Sequence, residues 1–519
     1  MTGSVEIEVS GWALGAFVGY LGLVVGIGVW AARFSSGGTG EFFIGGRSMG
    51  RFVVALSAVV SGRSAWLLLG VTGMAYVRGA SSVWALVGYI LVELVLFLTY
   101  ARRLRRFTGK HGCITLPDFF AARFEDRDGR LRVLLIAVIL IFMVAYVSSQ
   151  LLAGGKAFSS GFGLDPTLGL LITAGIVLVY TALGGFLAVS VTDCVQAIIM
   201  LSMLVVLPVI VVMDLGGAGY SMEVLRALDP SMLDPFALGM GALVGFLGIG
   251  LGSPGNPHIV MRYMSIRDPE QLKWAAAVGT AWNVLLGLGA LAVGLIGRAA
   301  YPEIEMLPGS DAEGLFPFMA GAYLPDVLYG LVLASIFAAI MSTADSQLLV
   351  GASSVSRDLY EKLIAKDRSI SRGHMVLLSR LVVVILIAAA LVLSQVAEGL
   401  IFALVLLAWA GLGAALGPTT ILALYWRGTT RAGIAAGVVT GTVVTVLWYF
   451  TPALKGAIYE LIPAFFASMI ATFVVSLFGR PPAGARDMME VMKGEEGACI
   501  ASSVQGEERR RQQRAEGVR

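Results

Sequence analysis

The chain has 519 residues, of which 57% are hydrophobic and only 14% are charged. A water-soluble domain normally carries about a quarter charged residues, so this composition excludes that class and indicates a polytopic membrane protein. The net charge is only +3, and we expect a lipid bilayer, not nucleic acid, as the chain's surroundings.

Apolar stretches long enough for a helical membrane span of about 20 residues recur along the whole chain. We count 13 of them, at 9–31, 51–78, 82–105, 131–156, 165–183, 187–214, 238–262, 271–299, 325–355, 376–396, 399–426, 431–451 and 457–478. The first begins without a basic flank or a clear cleavage site, so we interpret it as a retained helix and not a signal peptide. The prediction is an all-α polytopic membrane protein with 13 transmembrane helices.

Basic residues concentrate in alternate loops. The segment 102–132 holds nine arginines and lysines, and further basic residues follow the seventh span (Arg262, Arg267, Lys273) and the ninth span, whereas the loop before the ninth span is acidic. By the positive-inside rule the N-terminus is outside and the C-terminus is cytoplasmic. We expect a multi-pass protein of the plasma (inner) membrane with a polar cytoplasmic tail at 481–519.

Two spans contain residues that interrupt a helix. The second breaks near Ser57 to Trp66, and the seventh breaks between Gly250 and His258, where Pro254 and Pro257 stand among glycines. The matching positions predict two inverted five-helix repeats, 51–214 and 238–426, flanked by an N-terminal segment 1–50 and two C-terminal helices in 427–480. Paired broken helices point to a transporter's binding site. The alternative is that glycine and proline are simply common in membrane helices.

The stretch 338–347 places four oxygen-bearing side chains inside an apolar run: Ser342, Thr343, Asp345 and Ser346. At helical spacing Ser342, Asp345 and Ser346 share one face. A carboxylate at that depth is costly unless a cation accompanies it, which favours a bound alkali ion. The alternative is that the hydroxyls bond to their own helix and that Asp345 caps a cytoplasmic half-helix.

Seven segments in order resemble the sodium:solute symporter family, and most closely its sodium/proline symporters. They are EFFIGGRSMG (41–50), SGRSAWLLLGVTG (61–73), TLPDFFAARF (115–124), YTALGGFLAVSVTDCVQA (180–197), GNPHIVMRYMS (255–265), AAIMSTADSQLLV (338–350) and WAGLGAALGP (409–418). The resemblance implies a LeuT-type five-plus-five inverted repeat and sodium-coupled symport of a small organic solute, proline or a related amino acid, by alternating access.

The same resemblance implies the site residues. The sodium ion, Na+, is expected to bind the carbonyls of Val60, Arg63 and Ala339 with the side chains of Ser342 and Thr343. A second sodium site in some members corresponds to Asp193, Ser342, Asp345 and Ser346. For Asp193 the alternative is a helix-start carboxylate facing cytoplasmic water.

Residues that match those shaping the solute pocket of proline symporters are Ser64, Trp66, Tyr146 and Pro257, to which we add Ser253 and Asn256 from the break of the seventh span. Two features depart from the proline symporters. Their aspartate in the second span is Gly62 here, and aromatic residues in the seventh span correspond to Ile249 and Ser253. These departures leave a small zwitterion or carboxylate as the expected solute class.

Arg63, beside Gly62, supports two hypotheses: it pairs with Asp345 or Asp193 while sodium binds separately, or its guanidinium replaces a cation and makes transport sodium-independent or proton-coupled. No P-loop, catalytic triad or metal-hydrolase motif is present in the sequence, so we do not expect an enzyme. The scattered cysteines and histidines predict neither a disulfide framework nor a zinc site. A membrane solute sensor and a passive channel remain the rival classes.

Overall fold

The architecture comes from a computed structural model that describes residues 10–33, 39–366, 370–396 and 401–495. Within these ranges the regular structure is helical, and one isolated β-bridge joins Met49 to Ile266. Most of the predicted polar tail, together with Cys499, lies outside the described residues.

Sixteen helices form the body of the described chain. They are α1 (Gly11–Ala32), α2 (Arg51–Ala65), α3 (Thr72–Arg78), α4 (Val83–Val95), α5 (Ala101–Lys110), α6 (Leu116–Arg123), α7 (Arg130–Phe162), α8 (Pro166–Asp214), α9 (Met240–Gly248), α10 (Pro257–Ser265), α11 (Leu272–Ala300), α12 (Asp326–Ser353), α13 (Arg372–Val396), α14 (Ile401–Tyr425), α15 (Arg431–Tyr449) and α16 (Leu461–Leu477). Further helices cover Thr39–Ile44, Ala218–Leu228, Leu315–Tyr323, Pro452–Ala457 and Ala485–Lys493.

Nine helical stretches of the described chain are long and apolar enough to cross a membrane, and three shorter apolar helices accompany them. The longest stretch, Arg51–Lys110, changes direction at Gly79. Gly79 has a φ of 66°, which glycine adopts readily because it has no Cβ. The all-α polytopic prediction is confirmed. The count of 13 spans stays a prediction.

The predicted interruption of the second span is present. Helix α2 ends in a distorted turn at Ser64, which has φ 43° and ψ −172°, and the chain continues through the π-helical segment Trp66–Val71 into α3. A non-glycine residue with positive φ costs of order 1–3 kcal/mol and persists only where its surroundings hold it. The break therefore exposes the carbonyls of the last turn of α2 to partners outside the helix.

The seventh span is interrupted as predicted. Helix α9 gives way to the 3-10 segment Ile249–Gly255, and Asn256 is extended, with φ −90° and ψ 104°. Pro257 occupies the first position of α10, where a missing N–H leaves no helical hydrogen bond unmade. The α-helical hydrogen-bond ladder thus stops and restarts deep inside the bundle.

Helix α8 contains the predicted boundary between the fifth and sixth spans. Gly185 has φ 60° and ψ −176°, so the 49-residue helix is two helices joined at a kink. A Cβ at Gly185 would lie 3.1 Å from the ring of Phe42, which packs against the kink. The sixth span then carries Asp193 toward α2 and α12.

The segment before α2 is attached to the end of α10. Met49 N donates to Ser265 O at 3.3 Å, and Arg267 N donates to Met49 O at 3.0 Å. On its other side, Arg47 Nη2 donates to the carbonyls of Thr108 and Cys113, each at 2.7 Å.

Helix α12 is the centre of the bundle. Every residue from Val332 to Ser353 is buried, and α1, α2, α7, α8 and α13 pack around it. The polar face predicted for 338–347 therefore points into protein, where its oxygens need partners.

Candidate ion and solute site

The hydroxyls of α12 meet the broken end of α2. Thr343 Oγ1 donates to Ser61 O at 3.1 Å, and Ser342 Oγ lies 3.1 Å from Ala339 O and 3.5 Å from Val60 O. All five residues are buried. The structure thus brings together four of the five predicted sodium ligands, the oxygens of Val60, Ala339, Ser342 and Thr343.

These groups suit a hard cation. Each supplies an uncharged oxygen, and helix carbonyls freed at a membrane break are the usual ligands for sodium in transporters of this architecture. The fifth predicted ligand, the carbonyl of Arg63, accepts from Trp66 N in the distorted turn. Its reorientation would be needed to complete the shell.

Asp193 is buried beside this cluster. Its Oδ2 accepts from Ser57 Oγ at 2.6 Å and from Ser61 Oγ at 3.4 Å. The alternative that Asp193 faces cytoplasmic water is wrong, because its side chain is fully buried and hydrogen-bonded to α2. Ser61 also donates to Ser342 O at 3.3 Å, so it connects Asp193 to the hydroxyl cluster.

Arg262 approaches the same carboxylate. The sequence places it in the loop after the seventh span, but α10 continues to Ser265 and turns its guanidinium inward, where Nη2 lies 3.3 Å from Asp193 Oδ2. Nη2 also donates to Ser346 Oγ, which in turn lies 3.1 Å from Asp345 Oδ1. The loop assignment is therefore wrong, and Arg262 is a buried cation that contacts Asp193 directly and Asp345 through Ser346.

Arg63 lies elsewhere. Its Nε donates to Asn283 Oδ1 at 2.7 Å, its guanidinium sits 4.0 Å from the centre of the Tyr89 ring, and Asn283 donates to Glu93. The hypothesis that Arg63 pairs with Asp345 or Asp193 is wrong, since its side chain contacts Asn283 and Tyr89, and Asn283 links it to the carboxylate of Glu93. Glu93 is a carboxylate within an apolar span, and that signal alone marks it as a functional candidate.

A small cavity lies beside the break of α2. Four aromatic residues form much of its wall, namely the predicted Trp66 and Tyr146 and the unpredicted Tyr89 and Trp409. Its volume is about 10 Å³, close to the minimum for one water. A solute therefore needs these side chains to separate.

Tyr89 and Trp409 lie face to face, with ring centres 5.7 Å apart and planes at 29°. Trp409 Nε1 donates to Ile249 O at 2.8 Å, which attaches the wall to the break of the seventh span. Ile249 lines the cavity as well. Trp409 lies in the segment 409–418, one of the seven that resemble the sodium:solute symporter family. For Tyr89 the sequence gives no indication of a role in the cavity beyond an aromatic side chain in an apolar span.

The remaining predicted solute residues lie outside the cavity wall. Ser64 accepts from Trp66 N at 3.1 Å, and Asn256 Nδ2 donates to Gly252 O at 2.8 Å. Among the described residues, Ser253 Oγ and Asn256 Oδ1 are buried without a hydrogen-bond partner. Pro257 acts locally by restarting the helix. These four residues shape the two breaks.

A wider pocket of about 380 Å³ continues from the cavity, with Ile249 and Leu406 in both walls. Its rim carries Arg78, Lys455 and Glu460. We call this end of the bundle the acidic end. The loop with Glu303, Glu305, Asp311 and Glu313 begins there, since Tyr76, on the same helix as Arg78, donates to Tyr301 O at 2.8 Å. The wider pocket therefore lies between the central cavity and the acidic end.

The opposite, basic end carries an ion-pair network. Asp118 accepts from Arg132 Nη1 at 2.8 Å and from Arg357 Nε at 3.1 Å, and Arg132 also pairs with Asp358. Burial raises the pKa of Asp118, but Arg357 and Arg132 outweigh burial and hold that pKa below its usual value. The network joins α6 and α7 to the π-helical segment Ser354–Ile364.

The profile of the sodium:solute symporter family matches residues 42–441. The chain belongs to the sodium:solute symporter family. It is 37% identical over 459 residues to the osmoregulated proline transporter OpuE of Bacillus subtilis (strain 168), covering 88% of this chain and 93% of OpuE. It is 37% identical over 472 residues to a sodium/proline symporter of Staphylococcus aureus (strain JH9), covering 89% and 92%.

Solved structures agree on the fold of this symporter. A Na+-coupled sialic acid symporter in a substrate-bound outward-open state matches with a TM-score of 0.77 at 18% identity, covering 91% of this chain and 99% of the other. Mhp1, a nucleobase-cation-symport-1 family transporter, matches at 0.51 and 16% identity, covering 87% and 98%. The LeuT-type prediction is confirmed.

Family membership settles the class of the protein. It is a multi-pass membrane transporter that couples a small-molecule substrate to sodium, and it is not an enzyme. The hypotheses of sodium-independent transport and of a membrane solute sensor are therefore not supported.

Proposed function

We propose that this symporter carries proline or a closely related amino acid into the cell with sodium, by alternating access. The observation that carries the proposal is the contact between Thr343 and Ser342 on α12 and the carbonyls at the broken end of α2. An ion held between two elements that move relative to each other favours one conformation, and this differential affinity is what coupling requires.

We assign the sodium to Val60, Arg63, Ala339, Ser342 and Thr343. Ser342 and Thr343 already contact main-chain oxygens of α2 or of their own helix. An ion would replace those hydrogen bonds with direct contacts between the cation and the same oxygens. Closing α2 onto α12 around the ion would hold Ser64 in its strained conformation.

We assign the solute to the cavity of Trp66, Tyr89, Tyr146 and Trp409, with Ser64, Ser253, Asn256 and Pro257 shaping its ends. The apolar ring of proline suits the aromatic walls, and its ammonium is attracted to their faces. Its carboxylate suits the free amides at the helix breaks. The similar curated proteins named as proline transporters support this assignment.

We propose that the acidic end faces outward and the basic end faces the cytoplasm, in the inner membrane, as the positive-inside rule indicates. The pocket at the acidic end is then the external vestibule, and the network of Asp118 and Arg132 lies on the cytoplasmic side. The five-plus-five division at 51–214 and 238–426 belongs to the same proposal.

Uptake of radiolabelled proline into proteoliposomes tests the function. We expect accumulation above the external concentration under an inward sodium gradient, and its collapse when choline replaces sodium. A panel of small carboxylates and zwitterions, competing at tenfold excess, identifies the solute. Uptake that survives in choline contradicts sodium coupling, whereas sodium-driven uptake without competition by proline contradicts only the choice of solute.

A further inference from the structure

We infer that the hydroxyl of Tyr89 binds the carboxylate of the solute, and that Arg63 positions Tyr89 for this role from outside the cavity. The inference rests on the proposed transport of an amino acid. It adds a hydrogen-bond donor on α4 to the free amides at the helix breaks, and it makes Tyr89 a determinant of solute specificity.

The Tyr89 hydroxyl fills the place of the side chain that is absent at Gly62. A Cβ at Gly62 would overlap that hydroxyl and would lie 3.4 Å from the ring carbon that carries it. Both residues line the central cavity, and Gly62 lies two residues before the break at Ser64. Where the proline symporters that the sequence resembles have an aspartate, this chain therefore presents a phenol, which is an uncharged hydrogen-bond donor.

The hydroxyl is available to a ligand. Tyr89 is only 1% exposed, yet among the described residues its hydroxyl has no hydrogen-bond partner. Ser253 Oγ, at the break of the seventh span, is close enough to interact with it, but the two groups lack hydrogen-bond geometry and Ser253 Oγ is also without a partner. A buried polar group without a partner is costly. A carboxylate in the cavity would remove that cost, because it accepts strong hydrogen bonds from hydroxyls.

Arg63 holds the ring of Tyr89 in place. Its guanidinium carbon lies 4.0 Å from the centre of that ring, and its Nε donates to Asn283 Oδ1 at 2.7 Å. Asn283 in turn donates to Glu93, which lies one turn after Tyr89 on α4. Arg63 does not line the cavity, so it acts on the solute through Tyr89. A cation on the face of a phenol also strengthens its O–H group as a donor.

Competition between proline and prolinamide tests the inference. Prolinamide keeps the ring and the amine of proline but has an uncharged amide in place of the carboxylate. The inhibition constant of each compound is measured against sodium-driven uptake of radiolabelled proline into proteoliposomes. We expect Tyr89→Phe to reduce the preference for proline over prolinamide about tenfold, because one hydrogen bond to a charged group is lost. The sodium concentration for half-maximal uptake should stay unchanged.

Tyr329→Phe is the matched control. Tyr329 is also buried, but its hydroxyl donates to Gly161 O at 2.6 Å and the residue does not line the cavity. We expect the unaltered preference in this variant. An equal loss of affinity for both compounds in Tyr89→Phe would show a merely structural role and overturn the inference. A changed sodium dependence with an unchanged preference would overturn it as well.

Two further pairs of variants test the neighbours of Tyr89. Arg63→Met should reduce the preference for proline, and it should reduce it no further in the Tyr89→Phe background, because Arg63 acts through the hydroxyl. If Arg63→Met does not fold, Gly62→Ala provides the same test, since its Cβ displaces the hydroxyl. Additive losses of preference in either pair would overturn the inference. Absence of sodium-driven proline uptake by the unaltered chain would instead contradict the proposed function.

Discussion

Thr343 on α12 donates a hydrogen bond of 3.1 Å to the carbonyl of Ser61, across the junction between the ninth span and the broken second span. The residues are far apart in sequence, and the contact exists because α2 distorts at Ser64 instead of continuing. The junction between two repeats is thus closed by the groups that an ion would engage.

Replacement of that hydroxyl should weaken sodium binding. We expect Thr343→Ala to raise the sodium concentration for half-maximal proline uptake about tenfold, which corresponds to about 1.4 kcal/mol, because one ligand oxygen is lost. Ser335→Ala is the control, since Ser335 lies on the same helix and bonds only to Val332 O. Equal sodium dependence in Thr343→Ala and the unaltered chain would remove Thr343 from the ligand set.

Gly62 should tolerate no side chain. A Cβ there would lie 3.1 Å from Ile259 Cδ1 and closer still to the Tyr89 hydroxyl, at the wall of the cavity. Overpacking of this kind typically costs about 1–3 kcal/mol, so Gly62→Ala should raise the KM for proline at least fivefold. Gly175→Ala, where the added atom meets open space, should behave as the unaltered chain. An unchanged KM would show that the cavity relaxes freely.

Arg63 and Glu93 should depend on each other through Asn283. Arg63→Met leaves the buried Asn283 Oδ1 without its donor, and we expect a loss of about 1–3 kcal/mol in the free energy of unfolding. The double variant Arg63→Met with Glu93→Gln should recover most of that loss, measured as Tm in detergent. Additive effects of the two substitutions would show that they are not coupled.

The network at the basic end predicts a pH dependence. Because Arg357 and Arg132 hold the pKa of Asp118 below its unfolded value, its carboxylate stabilises the fold above about pH 4. That contribution disappears as the pH falls through the lower folded pKa. Asp118→Asn should therefore lower the Tm at pH 7, and the difference from the unaltered chain should shrink below pH 4.

Glu223→Gln serves as the control for Asp118→Asn, because Glu223 is an exposed carboxylate of the helix Ala218–Leu228. Its Tm should follow the unaltered chain at every pH. A constant difference between Asp118→Asn and the unaltered chain down to pH 3 would contradict the assigned partners.

The breaks and the polar face of α12 were predictable because they depend on local chemistry. Proline and glycine interrupt a helix wherever they stand, and a spacing of three or four places side chains on one face. The partners of Arg262 and Arg63 could not be predicted from the sequence, because they depend on packing between spans that are far apart along the chain. Arg262 meets Asp193 across 69 residues and Arg63 meets Asn283 across 220, and no local pattern distinguishes these arginines from those of a basic loop.

The bonds between Met49 and the end of α10 have a mechanical consequence. If α10 tilts during transport, the stretch 41–50 must move with it, because two main-chain hydrogen bonds join Met49 to the end of α10. Arg47, two residues before Met49, donates hydrogen bonds to the carbonyls of Thr108 and Cys113. A movement of the broken seventh span must therefore either move the end of α5 as well or break the hydrogen bonds of Arg47. Arg47 thus opposes that movement.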